Sequence, residues 1–317
     1  MPRRPRPRPP LPPRDGLGAA RVRMPVGADG PDGRSWPTVA AFLEHLTGDP
    51  DGIARRLADQ EIRLADGTVV TRATAYRPGA VVHLYRDLPD EVRVPFEVEV
   101  LEHDERTGLL VVDKPPFLAT MPRGAHVVET VVVRLRRSLQ LPDITPVHRL
   151  DRLTSGVLLL TTRPEARAAY QQMVQSGGLA KTYEALAPDA DHLGLPLTVS
   201  NRLVKERGEL QARAVPGEPN ATTRVERLGV AADRGHYRLT PTTGRTHQLR
   251  LHLADLGIPI DGDPLYPTVR HVDPTDFASP LQLLARQVGF EDPVTARPRV
   301  FTSRRTLPLS GADADAG

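Results

Sequence analysis

The sequence predicts an α+β fold, and three observations carry that prediction. From Lys181 onward, strand signals at residues 181–186, 222–228 and 236–239 follow one another without the helical crossovers that a doubly wound sheet requires. Near Trp36 two helical periods are followed by short strands and turns. One well-marked helix then follows an apolar strand at residues 156–160. No internal repeat interrupts this order.

Taken along the chain, residues 1–35 combine an arginine- and proline-rich start with the stretch Gly27-Ala28-Asp29-Gly30-Pro31-Asp32-Gly33. Such a segment buries too little apolar surface to order itself and is expected to be disordered. Val39, Phe42, Leu43 and Leu46 recur at helical spacing, and Ile53 with Leu57 marks a second helix. Residues 61–64, the turn Asp66-Gly67 and Val69-Val70 predict a hairpin, and residues 81–85 a further strand after Pro78-Gly79. Together they outline a module over 36–88, with a linker at 89–95. Residues 109–112 form an apolar strand that ends at the turn Asp113-Lys114-Pro115-Pro116. After the strand at 156–160, Thr162 and Glu165 have capping-box spacing with Pro164 in the first turn, and Ala166, Ala169, Tyr170 and Met173 line one helix face. Another helix is expected to open at Gly244-Arg245. Residues 306–317 are read as a C-terminal tail, of which Ser310 to Gly317 is a small acidic stretch.

Composition narrows the function classes. A chain of 317 residues with 39% hydrophobic and 26% charged residues can bury a sizeable core, while 33 prolines point to long loops or tails. The formal charge is only +3, yet lysine occurs only at Lys114, Lys181 and Lys205, so arginine supplies nearly all the cations. Guanidinium groups suit phosphate, which makes RNA a reasonable partner, although a general arginine bias explains the composition equally well. With 4% aromatics there are few platforms for base stacking. The absence of cysteine excludes thiolate metal sites, disulfides and cysteine nucleophiles. No apolar run approaches the roughly 20 residues of a membrane span, and no apolar segment follows Arg3-Arg4, so a cytoplasmic protein is expected.

The densest chemical signal is Pro146-Val147-His148-Arg149-Leu150-Asp151-Arg152-Leu153-Thr154-Ser155-Gly156. A carboxylate between cations stays ionised and can act as nucleophile or electrostatic stabiliser. On spacing alone, a surface salt bridge beside a turn fits Asp151 better than a catalytic role does. A kinase loop does not fit, because His-Arg-Leu-Asp carries an inserted residue and the glycine-rich loop and Asp-Phe-Gly are missing. A metal site from His148, Asp151, His247 and His252 is disfavoured by the arginines at 149, 152, 245 and 250. His247 and His252 are also five residues apart, on different faces of a helix. Neither metal nor cofactor is expected.

Four ordered motifs then match one family. His148 to Gly156, Lys181-Thr182-Tyr183-Glu184-Ala185, the run from Gly244-Arg245-Thr246-His247-Gln248 to Leu253, and the run from Gly257 to Tyr266 resemble the motifs of the RluA-type pseudouridine synthases. Asp113 to Pro116 with Met121-Pro122, and Phe290 to Thr295, fit as well. The resemblance covers residues 96–305. It implies a catalytic domain built on a mixed, largely antiparallel sheet with a central cleft, and cofactor-free isomerisation of uridine to pseudouridine in ribosomal or transfer RNA. By the same resemblance Asp151 is the catalytic residue, acting at C1′ of the ribose or at C6 of the base. Tyr183 packs on the target base and can join proton transfer, and Arg245, at a helix start, pairs with Asp151. Arg149 enters the RNA stack as the uridine flips out. His148, Arg152, Lys114, His247 and Arg250 are assigned to RNA contact.

Residues 36–88 resemble the S4 RNA-binding fold, but Asp49, Asp51, Asp59 and Glu61 offset Arg55 and Arg56 where S4 domains carry a basic helix. Leu283-Leu284-Ala285-Arg286 also departs from the family by lacking the histidine of Leu-His-Ala. Two rival readings stand beside the isomerase. One is a non-catalytic RNA-binding or ribosome-assembly factor using the same cleft; the other is a nucleoside hydrolase, which lacks its aspartate-rich metal loop here. No extended apolar repeat suggests an obligate partner, so a monomer is expected.

Overall fold

The computed structural model describes residues 9–27, 36–88, 90–231 and 233–307. The chain divides into two units, Met1–Pro89 and Asp90–Gly317.

In the first unit α1 (Val39–Thr47) starts where the Thr38 hydroxyl accepts the Ala41 N–H at 3.2 Å, and it ends on Gly48 in the left-handed region. Helix α2 (Pro50–Ala58) is capped by Asp49, whose carboxylate accepts the Gly52 N–H at 2.9 Å. Phe42, Leu43 and Ile53 pack on a three-stranded antiparallel sheet of order β1-β3-β2, formed by β1 (Ala20–Arg23), β2 (Ile62–Leu64) and β3 (Val81–Leu84). Two expectations are corrected here. Strand β1 lies inside the stretch expected to be disordered: Ala20, Val22 and Met24 join the core, and Leu11 and Leu17 are also buried. Conversely, the hairpin closes, with the Leu64 N–H donating to the Thr68 carbonyl at 2.9 Å and the Val70 N–H to the Ile62 carbonyl at 3.0 Å, but its second arm amounts to the single Val69–Arg63 bridge, and β1 provides the third strand. Residues 1–8, 28–35 and most of the C-terminal tail (308–317) lie outside the described residues.

The second unit begins before residue 96, because the supposed linker is tied to it. The Glu91 carboxylate accepts the N–H groups of Val127, Val128 and Glu129 at 2.7, 2.7 and 3.0 Å, and Arg134 donates to the Phe96 carbonyl at 2.6 Å. Eleven strands among the described residues form one sheet. In chain order they are β4 (Glu99–Asp104), β5 (Leu109–Lys114), β6 (Thr145–Pro146), β7 (Ser155–Thr161), β8 (Ala180–Pro188), β9 (Leu197–Val204), β10 (Arg213–Val215), β11 (Ala221–Ala231), β12 (Arg234–Pro241), β13 (Leu283–Glu291) and β14 (Pro298–Thr302). The main path runs β10-β9-β11-β12-β8-β13-β7-β5-β4, with β14 beside β13 and β6 beside β7. Every pairing is antiparallel except β13 with β7, so the sheet is mixed and largely antiparallel.

Alternation along β7 buries both faces. Leu158 and Leu160 join a core closed by α3 (Val131–Ser138) and α5 (Gln248–Asp255), while Val157 and Leu159 pack with Tyr170 and Met173 of α4 (Arg167–Gln175). The parallel contact with β13 is close. Gly156 has φ +109°, and a Cβ there would stand 2.3 Å from the Ala285 carbonyl oxygen, so only glycine fits. The capping box expected before α4 does not form. Thr162 donates to the Gly108 carbonyl at 3.4 Å and Glu165 pairs with Arg163, so α4 starts at Ala166 without a side-chain cap.

Candidate active site

Asp151 stands on the loop between β6 and β7, which is anchored at three points. His148 Nε2 accepts the Leu159 N–H at 3.2 Å. The Thr120 hydroxyl donates to the Leu150 carbonyl at 2.7 Å and accepts the Leu150 N–H at 3.2 Å. Lys114 Nζ donates to the Arg152 carbonyl at 3.1 Å and also to the carbonyls of Pro115 and Leu118 at 2.8 and 2.7 Å. Leu150 and Leu153 are buried, which turns Arg149 and Asp151 outward into a cavity of about 820 Å³. That volume falls in the range of ligand-binding clefts.

A second wall comes from β8. Lys181 and Tyr183 alternate with Thr182 and both line the cavity. Tyr183 is buried, and burial, reinforced by the charge of Asp151, pushes its phenol well above its ordinary pKa, so it stays protonated. Burial pulls the Lys181 ammonium below its ordinary value; its Nζ stands 3.4 Å from where a Cβ on Gly244 would be.

The third wall is the turn before α5. The helix was expected to open at Gly244-Arg245, but it opens at Gln248. The cause is the Gln248 side chain, which is itself buried. Its Oε1 accepts the Arg245 N–H at 3.0 Å and the Thr243 hydroxyl at 2.8 Å, while Nε2 donates to the Thr222 carbonyl at 3.0 Å and to Thr223 Oγ1 at 2.9 Å. Arg245 therefore sits in a pinned turn, and its Nε donates to the Asn220 carbonyl at 3.1 Å. It lines the same cavity as Asp151 and Tyr183 but forms no ion pair with Asp151, which corrects the expected pairing. The basic side chain nearest the Asp151 carboxylate among the described residues is His247, with Nε2 4.0 Å from Oδ2, an ion pair only if the ring is protonated.

The other cations expected to meet RNA are sorted by their partners. Arg250 is 3% exposed and grips Asp263 with two nitrogens, Nε to Oδ2 at 2.7 Å and a terminal nitrogen to Oδ1 at 2.5 Å. Lys114 is fully buried on its three carbonyls, and desolvation pulls its ammonium well down against the opposing pull of Asp151. Arg152 points to the Phe117 carbonyl at 3.4 Å and does not line the cavity. His148 is neutral: burial, with Lys181 nearby, pushes it down to about 3, and its Nε2 is occupied by Leu159. All four are engaged with partners inside the protein; His148 and Arg250 also line the cavity, whereas Lys114 and Arg152 do not. The reason is common to all: a desolvated cation must find carbonyls or a carboxylate inside the protein, and a desolvated imidazole gives up its charge.

Three cations remain for an incoming anion: Arg149, exposed and without a hydrogen bond or ion pair among the described residues; Lys181; and the terminal nitrogens of Arg245. Lys181 was given no role from sequence, although period-two spacing from Tyr183 already placed it on the same strand face. Gln248 and Tyr266 were also missed. No local pattern marks a side chain whose work is to fix a turn.

Comparison with known proteins places this geometry. Residues 108–255 match the family model of RNA pseudouridylate synthase. An RNA pseudouridine synthase of Chloroflexus aurantiacus, described as uncharacterized, is 31% identical over 263 residues, which is 78% of this chain and 80% of that protein. The ribosomal large subunit pseudouridine synthase D of Pseudomonas aeruginosa is 28% identical over 238 residues, 68% of this chain and 72% of that protein. The matched stretch spans only 29–30% of the length of two longer relatives from human and mouse. Among solved structures, human RNA pseudouridylate synthase domain containing 1 superposes with a TM-score of 0.52 at 23% identity, over 66% of this chain and 84% of that one, a likeness of fold.

Proposed function

This chain belongs to the RNA pseudouridine synthase family, and from that premise we propose that it isomerises uridine in RNA to pseudouridine with Asp151 as nucleophile. The observation that carries the reading is the convergence of Asp151, Tyr183 and Arg245 on one cavity of about 820 Å³. We take ribosomal RNA as the substrate, on the relative whose name specifies the large ribosomal subunit. We read the first unit as an S4-like accessory module and the protein as a monomer.

The reaction is redox-neutral and balances without a cofactor. The N1–C1′ bond of uridine breaks, the uracil turns, C5 bonds to C1′, the C5 proton leaves and N1 takes up a proton. The Asp151 carboxylate, partly exposed to the cavity, attacks C1′ or C6 and so releases the base for rotation. Tyr183 offers a buried ring against the uracil, and its hydroxyl, which holds its proton, can donate a hydrogen bond but is not a resting base. Arg245 adds positive potential to the cavity without holding the carboxylate directly. Drawing a uridine out of its stack costs a few kcal/mol. The exposed, planar Arg149 is suited to fill the vacated place.

The test is direct. Purified protein is incubated with unmodified ribosomal and transfer RNA transcripts carrying tritium at uridine C5, and release of tritium to water is measured with pseudouridine in the product. Wild type should release tritium and form pseudouridine, while Asp151→Asn should bind the RNA and do neither. Folded wild-type protein that forms no pseudouridine on any of these RNAs refutes the proposal. Full cellular function of the Asp151→Asn variant would favour an assembly factor, and free uracil would favour a hydrolase.

A further inference from the structure

His247 was assigned to RNA from its place in the motif, but its surroundings tie it to the carboxylate. Three observations bear on it. First, it is the residue before α5 and holds φ 58°, a left-handed conformation that a histidine adopts at a cost. Second, that conformation places its side chain between two groups: Nε2 is 4.0 Å from Asp151 Oδ2, and Nδ1 is 3.1 Å from the Tyr266 hydroxyl. Third, Tyr266 is itself fixed. Its hydroxyl accepts the Ala212 N–H at 2.6 Å and lies 3.2 Å from the Ala212 carbonyl as a possible donor, its backbone N–H donates to Asp263 Oδ1 at 3.1 Å, and its ring meets the imidazole edge-on.

The chain of partners selects one tautomer. A carboxylate only accepts, so the proton of the neutral ring belongs on Nε2, facing Asp151. Nδ1 is then the acceptor, and the Tyr266 hydroxyl, with Nδ1 at 3.1 Å and the Ala212 carbonyl at 3.2 Å both within reach, turns its one proton to Nδ1. Burial supports this by pulling His247 below its ordinary pKa and pushing the Tyr266 phenol up to about 12, so the ring is neutral and the hydroxyl keeps its proton. Arg245, the cation expected to aim Asp151, donates through Nε to the Asn220 carbonyl and forms no ion pair with Asp151.

We propose that His247 is a positioning residue for Asp151: its Nε2–H, oriented by the Tyr266 hydroxyl, aims the carboxylate at the target nucleotide and does not contact the RNA backbone. The assignment rests on the reading of Asp151 as the nucleophile. Misplacing a reacting group by about 1 Å can cost up to about 100-fold in rate.

The experiment compares His247→Gly, His247→Asn and His247→Gln in the full chain, using unmodified ribosomal RNA transcripts with tritium at uridine C5, alongside Asp151→Asn. Glycine and asparagine both accept a positive φ, so these variants should melt as wild type does. Asparagine places its amide where Nδ1 was, whereas glutamine reaches the place of Nε2–H. The expected result is kcat lowered about 10- to 100-fold in the Gly and Asn variants with KM within about twofold, and kcat largely restored in the Gln variant. A backbone role would give the opposite order, with asparagine and glycine best. An RNA contact would raise KM and leave kcat unchanged. Either of those results, or wild-type kcat in all three variants, overturns the proposal. Turnover by Asp151→Asn would instead overturn the nucleophile assignment, so the two failures are distinguishable.

Discussion

Replacing Arg250 by methionine separates its two possible roles. Arg250 is 3% exposed and Asp263 fully buried, and two short hydrogen bonds join them. Asp263 Oδ1 also accepts the N–H groups of Leu265 and Tyr266 at 2.8 and 3.1 Å, so the carboxylate cannot turn away to find water when its cation is removed. Breaking such a pair from one side leaves an uncompensated buried charge and costs about 3–5 kcal/mol. For a unit of this size each kcal/mol moves the midpoint by about 2–4 °C. The Arg250→Met variant should therefore melt roughly 6–20 °C below wild type. Changing Asp263 to asparagine in the same chain removes the stranded charge and keeps an acceptor for both N–H groups. The double variant should recover part of the loss, a coupling that a double-mutant cycle measures directly. The assay is a thermal melt of the second unit, with RNA binding titrated against salt. An Arg250→Met protein that melts with wild type, and whose salt dependence is shallower by about one, would refute this account, because that is the signature of a lost phosphate contact.

Two further predictions concern charge. Arg149→Ala and Lys181→Ala should each leave the melting temperature unchanged, weaken RNA binding, and reduce the slope of log K against log salt by about one; an unchanged slope in both would show that neither meets a phosphate. His252 is fully buried between Thr223 Oγ1 and Asn201 Oδ1, each at 2.9 Å, and burial pushes it down to about 4. Its folded value lies below the unfolded one of about 6.5, so between those values the unfolded chain binds more protons and stability falls as pH falls. The loss should approach 3 kcal/mol, in order of magnitude, by pH 4. Urea titrations across that window should show it, and His252→Gln should flatten the slope; an identical slope in the variant would rule the linkage out.

What could be read from the chain and what could not follow one physical division. Strand β7 was visible because it is buried on both faces and reads as an unbroken apolar run, and Tyr183 was visible because a motif surrounds it. The first-unit strand β1 was hidden: Ala20, Val22 and Met24 are too few, among prolines and arginines, to predict order until β3 is beside them. The same limit applied to the site. Arg149, Arg152, Arg245 and Arg250 look alike in sequence, and their roles diverge only through partners elsewhere, such as Asp263 and the Asn220 carbonyl. Likewise Thr162 and Glu165 have capping spacing, but Gly108, far away in the chain, takes the Thr162 hydroxyl. Local patterns identify elements; long-range partners decide what a charge is for.

The position of β13 has a consequence for biosynthesis. This strand is the last but one among the described residues, yet it fills the slot between β7 and β8 at the middle of the sheet. A growing polypeptide therefore exposes two facing, unpaired edges from the time β8 is made until about a hundred residues later. Such edges invite pairing with other chains, and joining them late makes folding dependent on distant contacts. The walls carrying Asp151 and Tyr183 can be held in register only once β13 has left the ribosome. A chain stopped short of β13 is left with the sheet in two halves and the nucleophile on one of them.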